Sequence, residues 1–438
     1  MKVTVIGLGY LGATHSVAMS KLGHTVVGIE KDPKKLEILS QGRAGFFEPG
    51  LDQALQEELA SGRLTFQSEH DANSSAAEIH FICVGTPQSK NSLAADTTYL
   101  HSAITYLAPH LKPESVVVGK STVPVGTAAI LTEKLSDLAG FPAHLAWNPE
   151  FLREGTALED SLRPDRLVIG VPDKYSEEKL RQVFEPMIAS GVPLIVTDLP
   201  TAELVKSAAN AFLATKISFI NSMAEIAEVT GADAGELAKA IGFDERIGNK
   251  FLKNGVGFGG GCLPKDIRAL LARAEELGVA DSVAYLKEVD KINLRRRTRV
   301  IDMLEQELGD LAKRRVLVLG AAFKPDSDDV RDSPALGIAM LAHEKGAEVI
   351  IHDPVALPGV RIKHPELNAV DDLREAFKDV DAVVLATEWK EYRNLDPKTI
   401  SGSVRNALII DGRNVLDIPL WQSAGFKVLA LGKTVRNN

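Results

Sequence analysis

The chain has 438 residues, 45% hydrophobic and 25% charged, a composition that excludes a disordered or fibrous protein and predicts about three domains. Lys and Arg number 50 against 59 Asp and Glu, for a net charge of −9. This excludes nucleic-acid binding through a broad basic surface, although an anionic small ligand needs only a local cluster of donors. No apolar run is long enough to cross a bilayer, and the N-terminal MKVTVIGLGY leads into a glycine turn and not a cleavage site, so neither a membrane span nor a signal peptide is expected. With two cysteines, Cys83 and Cys262, a disulfide framework and a cysteine-rich zinc site are excluded, no metal is expected, and the reducing cytoplasm is the expected compartment.

In chain order, Lys2–Ile6 reads as a short buried strand, followed by a glycine turn, a helix to Leu22, and a second strand over Thr25–Ile29 that ends at Glu30. This is a βαβ unit. Further apolar strands are expected at Ile79–Val84, Ser115–Gly119, Leu145–Trp147, Leu167–Gly170 and Leu194–Val196, giving an open parallel sheet with helices on both faces. From Thr201 to Glu228 there is no proline or glycine, and the apolar positions recur at helical spacing, which predicts a long helix. Helical stretches follow past Gly231 and from Asp266 to about Glu307, with a glycine-rich loop, Gly255–Cys262, between them. Strand signals return at Arg315–Leu319, Glu348–Ile351, Asp381–Ala386, Ala407–Ile410 and Lys427–Leu431. The expected fold is α/β: two Rossmann-like, doubly wound parallel sheets joined by a central helical domain with a long spine helix. The boundaries expected are 1–198, 199–305 and 306–438.

Gly7, Gly9 and Gly12 form G-x-G-x-x-G between a strand and a helix. The first glycine permits the turn, the second lets the backbone approach a pyrophosphate, and the third lets helix and strand pack closely. Glu30 stands where a carboxylate takes ribose hydroxyls and repels a 2′-phosphate, so NAD is expected over NADP; Lys31 and Lys35 nearby act against that preference.

Cys83 lies in an apolar run and reads as core. Cys262 lies where a glycine loop gives way to a helix, so the helix N-terminus and Lys265 can stabilise its thiolate; a flexible loop with an incidental cysteine is the other reading. Asp266 can share the first turn of that helix with Cys262. Lys206 and Asn210, at i and i+4 on the long helix, share a face whose flanks suggest partial burial, and so need partners such as a developing oxyanion. Glu150 and Glu154 follow a strand at the ligand-binding edge of the sheet, where a site and a capped, solvated helix start are equally consistent with the spacing.

Taken in order, Gly7–Gly12, Val84–Pro87, Lys120–Pro124, Asn148–Gly155, Lys206–Asn210, Gly257–Asp266, Phe323–Pro325 and Asp411–Arg413 resemble the UDP-glucose/GDP-mannose dehydrogenases over nearly the whole chain. The resemblance implies NAD-dependent four-electron oxidation of UDP-glucose to UDP-glucuronate through a thiohemiacetal and a thioester on Cys262. It implies that Lys206 and Asn210 stabilise oxyanions, that Asp266 and Thr122 position or activate water, and that Glu150 is a base for thioester hydrolysis. It places Gly7, Gly9, Tyr10, Leu11, Gly12, Glu30, Lys35, Val84, Gly85, Thr86, Thr122 and Glu154 against the cofactor. It places Glu150, Phe151, Leu152, Arg153, Lys206, Asn210, Phe251, Lys253, Phe258, Gly259, Lys324 and Arg413 against the nucleotide sugar, with Arg246 reaching a neighbouring subunit's site. A homodimer or larger homo-oligomer follows, with no nucleic-acid or membrane partner. Gly261 and Leu263 flank the cysteine where many UDP-glucose enzymes have Ser and Phe, and Leu263 is also met in GDP-mannose enzymes. Pro164–Gly170 and Arg246–Lys250 look more like the UDP-glucose branch. The alternatives are another nucleotide-sugar 6-dehydrogenase, acting on GDP-mannose for example, and a two-electron NAD-dependent hydroxyacid dehydrogenase.

Overall fold

The computed structural model describes residues 1–433, so the last five residues of the expected 306–438 segment lie outside the described residues. Contacts divide the chain into two compact units: Met1–Ala209 with Arg268–Ala280, and Asn210–Ile267 with Asp281–Asn438.

The first unit holds an eight-stranded sheet built from β1 (Lys2–Ile6), β2 (Thr25–Ile29), β3 (Leu64–Gln67), β4 (Ile79–Ile82), β5 (Val116–Gly119), β6 (His144–Trp147), β7 (Leu167–Gly170) and β8 (Leu194–Thr197). Its order is β3-β2-β1-β4-β5-β6-β7-β8. The central strands are apolar on both faces, as they must be when helices cover both. Val3, Val5, Phe81 and Val118 pack with Ala13, Val17 and Leu55 of the helices Tyr10–Lys21 and Leu51–Ala60. Ile6, Ile82 and Val117 pack with Ile104 and Leu131 of the helices Thr98–Leu107 and Thr127–Ala139.

The sheet departs from the expected all-parallel form at one place. β6 and β7 are antiparallel and meet only at Trp147 and Gly170. The intervening chain carries just the short helix Ala157–Leu162, not a full crossover helix, so it returns the strand in the opposite sense. β3 was not expected from the sequence; its four residues, LTFQ, make a weak edge-strand signal.

The second unit holds β9 (Arg315–Leu319), β10 (Glu348–His352), β11 (Asn368–Ala369), β12 (Ala382–Leu385), β13 (Leu408–Asp411) and β14 (Lys427–Ala430), all parallel, in the order β11-β10-β9-β12-β13-β14. This repeats the first six positions of the other sheet, with the order reversing beside the first strand in both. That reversal point is where open α/β sheets bind ligands.

The spine helix runs over Leu199–Thr230. The helical stretches expected from Asp266 to about Glu307 are two helices: Leu263–Glu276 ends before Gly278, whose φ is +73°, and Tyr285–Leu308 begins after a single 3₁₀ turn. In the second unit the spine is tied to Tyr285–Leu308 by ions. The Arg296 side chain is fully buried, with Nη1 3.4 Å from Glu225 and Nη2 3.3 Å from Glu228. Its Nε donates to the carbonyl of Gly255 at 3.3 Å, the first residue of the glycine loop. Glu228 also pairs with Arg299 at 2.7 Å and accepts the Gly432 N–H at 2.9 Å.

Removing one member of such a buried set leaves the others desolvated and under-paired. Arg296→Met should therefore destabilise the protein by about 3 kcal/mol or more. Urea denaturation followed by circular dichroism should show a lowered midpoint, and an unchanged midpoint would contradict the role given to this arginine.

Candidate active site

In the first unit the turn after β1 is shaped by packing at two of its glycines and by open space at the third. Gly7 has φ +86°, and a Cβ there would lie 2.7 Å from a Val84 methyl; a Cβ at Gly12 would lie 1.9 Å from the Gly7 carbonyl. At Gly9 a Cβ would meet no described atom within 4 Å. No neighbour within the chain demands glycine there, whereas a closely approaching ligand would. The helix that starts at Tyr10 has no side-chain cap and no acidic residue in its first turn, leaving its N–H groups for an anion.

Glu30 accepts the Leu8 N–H at 2.9 Å through one oxygen and the Asp32 N–H at 3.0 Å through the other. A carboxylate has about four acceptor sites, so capacity remains for ribose hydroxyls. The Lys31 ammonium sits 4.2 Å over the Tyr106 ring, while Lys35 is exposed. These residues fit a dinucleotide. Leu11, Val84 and Glu154 are half-buried and Gly85 is exposed. The ends of β4 and β5 are stitched together, Ser121 Oγ donating to the Val84 carbonyl at 2.6 Å and Thr86 Oγ1 to the Thr122 carbonyl at 2.7 Å.

The Asn148–Ala157 loop is held by two charged residues that the sequence reading did not single out. Lys120, 5% exposed, donates to Asn148 Oδ1 at 2.7 Å and lies 3.4 Å from Glu150 Oε2. Glu48 accepts from the Tyr10 hydroxyl, from Gly155 N–H at 2.6 Å and from Ala157 N–H at 2.7 Å. Burial, reinforced by the Glu48 carboxylate, holds the Tyr10 phenol far above its ordinary range. The available signal for Glu48 is its setting, a carboxylate between Phe47 and Pro49 in an otherwise apolar stretch. Glu150 also accepts the Leu152 N–H, and Arg153 is engaged by Asp160 at 2.9 Å. Phe151 has the Arg166 guanidinium 3.9 Å and the Lys206 ammonium 5.4 Å from its ring. Lys206 is 7% exposed, so this aromatic face is part of what accommodates its charge.

In the second unit Cys262 is exposed, immediately ahead of the helix Leu263–Glu276, and its carbonyl accepts the Asp266 N–H at 2.9 Å. Asp266 and Asn210 are both buried; Asn210 Nδ2 donates to Asp266 Oδ2 at 2.6 Å, and Lys265 Nζ donates to Oδ1 at 2.6 Å. The ammonium expected to favour the thiolate is thus shared with Asp266. Cys83, by contrast, is buried in the first unit's core, and burial pushes its thiol up to about 12.

The loop that delivers Cys262 is rigidly held, against the reading of a flexible one. Gly255 N–H goes to Asn221 Oδ1 at 2.9 Å, Val256 N–H to the Gly412 carbonyl at 3.0 Å, Gly260 N–H to the Arg331 carbonyl at 2.8 Å and Gly261 N–H to Asp329 Oδ2 at 3.3 Å. Phe258 is buried, and a Cβ on Gly259 would lie 2.4 Å from the Asp332 carbonyl. Phe251, at φ +62°, and Lys253 are exposed, and the Arg246 side chain is 90% exposed beside Asp244.

The edge of the second sheet differs from that of the first. Asp353, at the end of β10, accepts from Ala321, Ala322, Val355 and Ala356 N–H groups and from Trp389 Nε1, at 2.7–3.1 Å. This carboxylate is consumed by its own chain, so the position equivalent to Glu30 offers nothing to a ribose. Lys324 lies 5.5 Å from the Phe323 ring. Arg413 donates to the carbonyls of Ala386 at 2.7 Å, Gly257 at 3.0 Å and Phe323 at 3.2 Å, and pairs with Glu388 at 3.2 Å. Two of its five N–H groups remain for another acceptor.

Comparison with known proteins agrees with this division of labour. Residues 1–188, 200–295 and 317–418 match, respectively, the NAD binding, central and UDP binding domains of the UDP-glucose/GDP-mannose dehydrogenase family. The chain is 40% identical to a UDP-glucose 6-dehydrogenase of Rickettsia felis, over 99% of this chain and 96% of that one. It superposes on a UDP-glucose dehydrogenase from Pyrobaculum islandicum with a TM-score of 0.91 and 38% identity, covering 99% and 98% of the two chains. A GDP-mannose dehydrogenase from Pseudomonas aeruginosa gives 0.54 at 30% identity, covering 95% and 97%. With all three family domains present in order on one chain, this protein belongs to the UDP-glucose/GDP-mannose dehydrogenase family.

Proposed function

We propose that the protein oxidises the C6 alcohol of UDP-glucose to the carboxylate of UDP-glucuronate, consuming two NAD⁺ and one water and releasing two NADH and three protons. The observation that carries this reading is the presence on one chain of a dinucleotide turn with Glu30 and, separately, of an exposed Cys262 followed by the Asn210–Asp266 contact. The choice of UDP-glucose is supported by the relatives named for that substrate, at about 40% identity over almost the whole chain.

NAD, when bound, supplies the acceptor for hydride leaving the substrate carbon. Loss of the first hydride and the hydroxyl proton gives an aldehyde. The Cys262 thiolate adds to it, forming a C–S bond and an oxyanion that Lys206 and Asn210 stabilise. The thiohemiacetal loses a second hydride and becomes a thioester. Water held by Asp266 and Thr122, with Glu150 as base, then cleaves the C–S bond and returns the thiolate. Gly7, Gly9, Gly12, Tyr10, Leu11, Glu30, Lys35, Val84, Gly85, Thr86 and Glu154 surround the cofactor in this reading. Phe151, Leu152, Arg153, Phe251, Lys253, Phe258, Gly259, Lys324 and Arg413 surround the nucleotide sugar. The spare N–H groups of Arg413 suit a diphosphate.

The same reading divides the chain functionally at 198/199 and 305/306 and makes the enzyme a homo-oligomer. Phe212, Phe219 and Ile226 recur every seven residues on one side of the spine helix and are 66%, 47% and 53% exposed. An apolar row of this kind on a long helix is suited to a second copy of itself, and Arg246, standing out from the surface, is suited to a neighbour's site. We assign the enzyme to the cytoplasm, where the Cys262 thiol stays reduced; among the described residues no helix is long and apolar enough to cross a membrane.

Turnover should yield two NADH per UDP-glucose, measured at 340 nm under limiting substrate; a ratio of one would replace this reading with a two-electron dehydrogenase, and faster turnover of GDP-mannose would replace the substrate. Cys262→Ser should lose net UDP-glucuronate formation by at least about 10³-fold, the scale of removing a covalent nucleophile; chromatographic detection of acid at the wild-type rate would remove the nucleophile assignment. Phe219→Glu, which puts a charge in the apolar row, should shift the mass seen by light scattering toward the single chain, and an unchanged mass would place the interface elsewhere.

A further inference from the structure

Asn293 lies on the helix Tyr285–Leu308 and is 1% exposed. Its side-chain amide faces one residue of the glycine loop, Phe258, and pairs with both of that residue's backbone groups. Phe258 N–H donates to Asn293 Oδ1 at 2.7 Å, and Asn293 Nδ2 donates to the Phe258 carbonyl at 3.0 Å. One donor and one acceptor on the loop fix which way the amide points. The fit extends to the preceding residue: Gly257 has φ +92°, and a Cβ there would come within 2.3 Å of Asn293 Oδ1. The other side of Gly257 is held through its carbonyl by Arg413 Nη1 at 3.0 Å.

Phe258 is four residues ahead of Cys262, and the connecting Gly260 and Gly261 N–H groups are fixed by Arg331 and Asp329. The position of the thiol is therefore referred, through the backbone of Phe258, to a side chain on a different helix. No other residue type does this in the same space. Leucine would leave the Phe258 N–H and C=O buried and unpaired, and an ionised aspartate would set a negative charge against the carbonyl.

We infer that Asn293 is a positioning residue for the reaction: by clamping the Phe258 backbone N–H and C=O it holds Cys262 in the geometry for attack on the substrate carbon. This rests on the reading of Cys262 as nucleophile. A displacement of about 1 Å in a reacting group can cost on the order of 10²-fold in rate, so a clamp this close in sequence to the thiol acts on the chemical step more than on binding.

The test compares wild type, Asn293→Ala and Asn293→Asp, the last keeping the acceptor for the Phe258 N–H and nearly the same shape should the alanine variant fail to fold. Four quantities are read on folded protein: kcat, KM for NAD⁺, KM for UDP-glucose, and the rate of alkylation of Cys262 by iodoacetamide, followed by mass spectrometry of its peptide. The expected result is a fall in kcat of about 10²-fold for alanine and a smaller fall for aspartate. KM for NAD⁺ should stay within twofold, and Cys262 alkylation should change in both variants. A kcat within twofold of wild type, with or without a lowered melting temperature, would overturn the inference. If alkylation changes and kcat does not, the clamp acts on the thiol but the thiol is not the nucleophile, so the proposed function fails as well. If neither changes, only the role of Asn293 fails.

Discussion

A buried loop has to find partners for the peptide groups it takes out of water, and the Gly255–Gly261 segment draws partners from several other parts of its own unit. The spine helix supplies Asn221, the helix Tyr285–Leu308 supplies Asn293 and Arg296, and the second sheet supplies the Gly412 carbonyl and Arg413. Side-chain-free residues are needed because these partners approach so closely. The cysteine is exposed at the end of a segment that is otherwise fixed, which is the arrangement a nucleophile requires: an accessible atom on an immobile base.

The first unit solves the same problem with carboxylates. Glu48 binds two N–H groups of the loop after β6, and Glu203 takes the Gly126 and Ala128 N–H groups at 2.7 and 2.6 Å at the start of the helix Thr127–Ala139. Burial raises the Glu203 carboxyl above its usual range, and these N–H groups oppose that rise. Each carboxylate joins segments far apart in sequence, so the strand-end loops keep their shape without regular structure of their own.

Most of the fold was legible because buried parallel strands are short, continuous apolar runs, and because Leu199–Thr230 lacks helix breakers almost throughout. The two strands that escaped notice, Leu64–Gln67 and Asn368–Ala369, sit at sheet edges and are only four and two residues long. The antiparallel meeting of Trp147 and Gly170 was invisible because strand direction depends on the path of the connection. Lys206, Asn210, Cys262 and Asp266 stood out through local spacing, and the Asn210–Asp266 contact joins two of them. Lys120, Glu48 and Asn293 did not stand out, since what distinguishes them is a partner 30, 107 and 35 residues away.

The two sheets share a strand order, yet their equivalent acids have different fates. Glu30 keeps lone pairs to spare, while Asp353 has spent its own on five donors from its own chain. Of these two equivalent positions one therefore keeps a carboxylate for a dinucleotide, although the proposed chemistry calls for two oxidations. In that proposal the half-oxidised sugar has to outstay the first cofactor molecule, and an aldehyde held only by hydrogen bonds could leave during the exchange. In the proposed reaction the bond to the Cys262 sulfur is a mooring line as well as a catalytic device, keeping the intermediate aboard while the electron carrier is replaced.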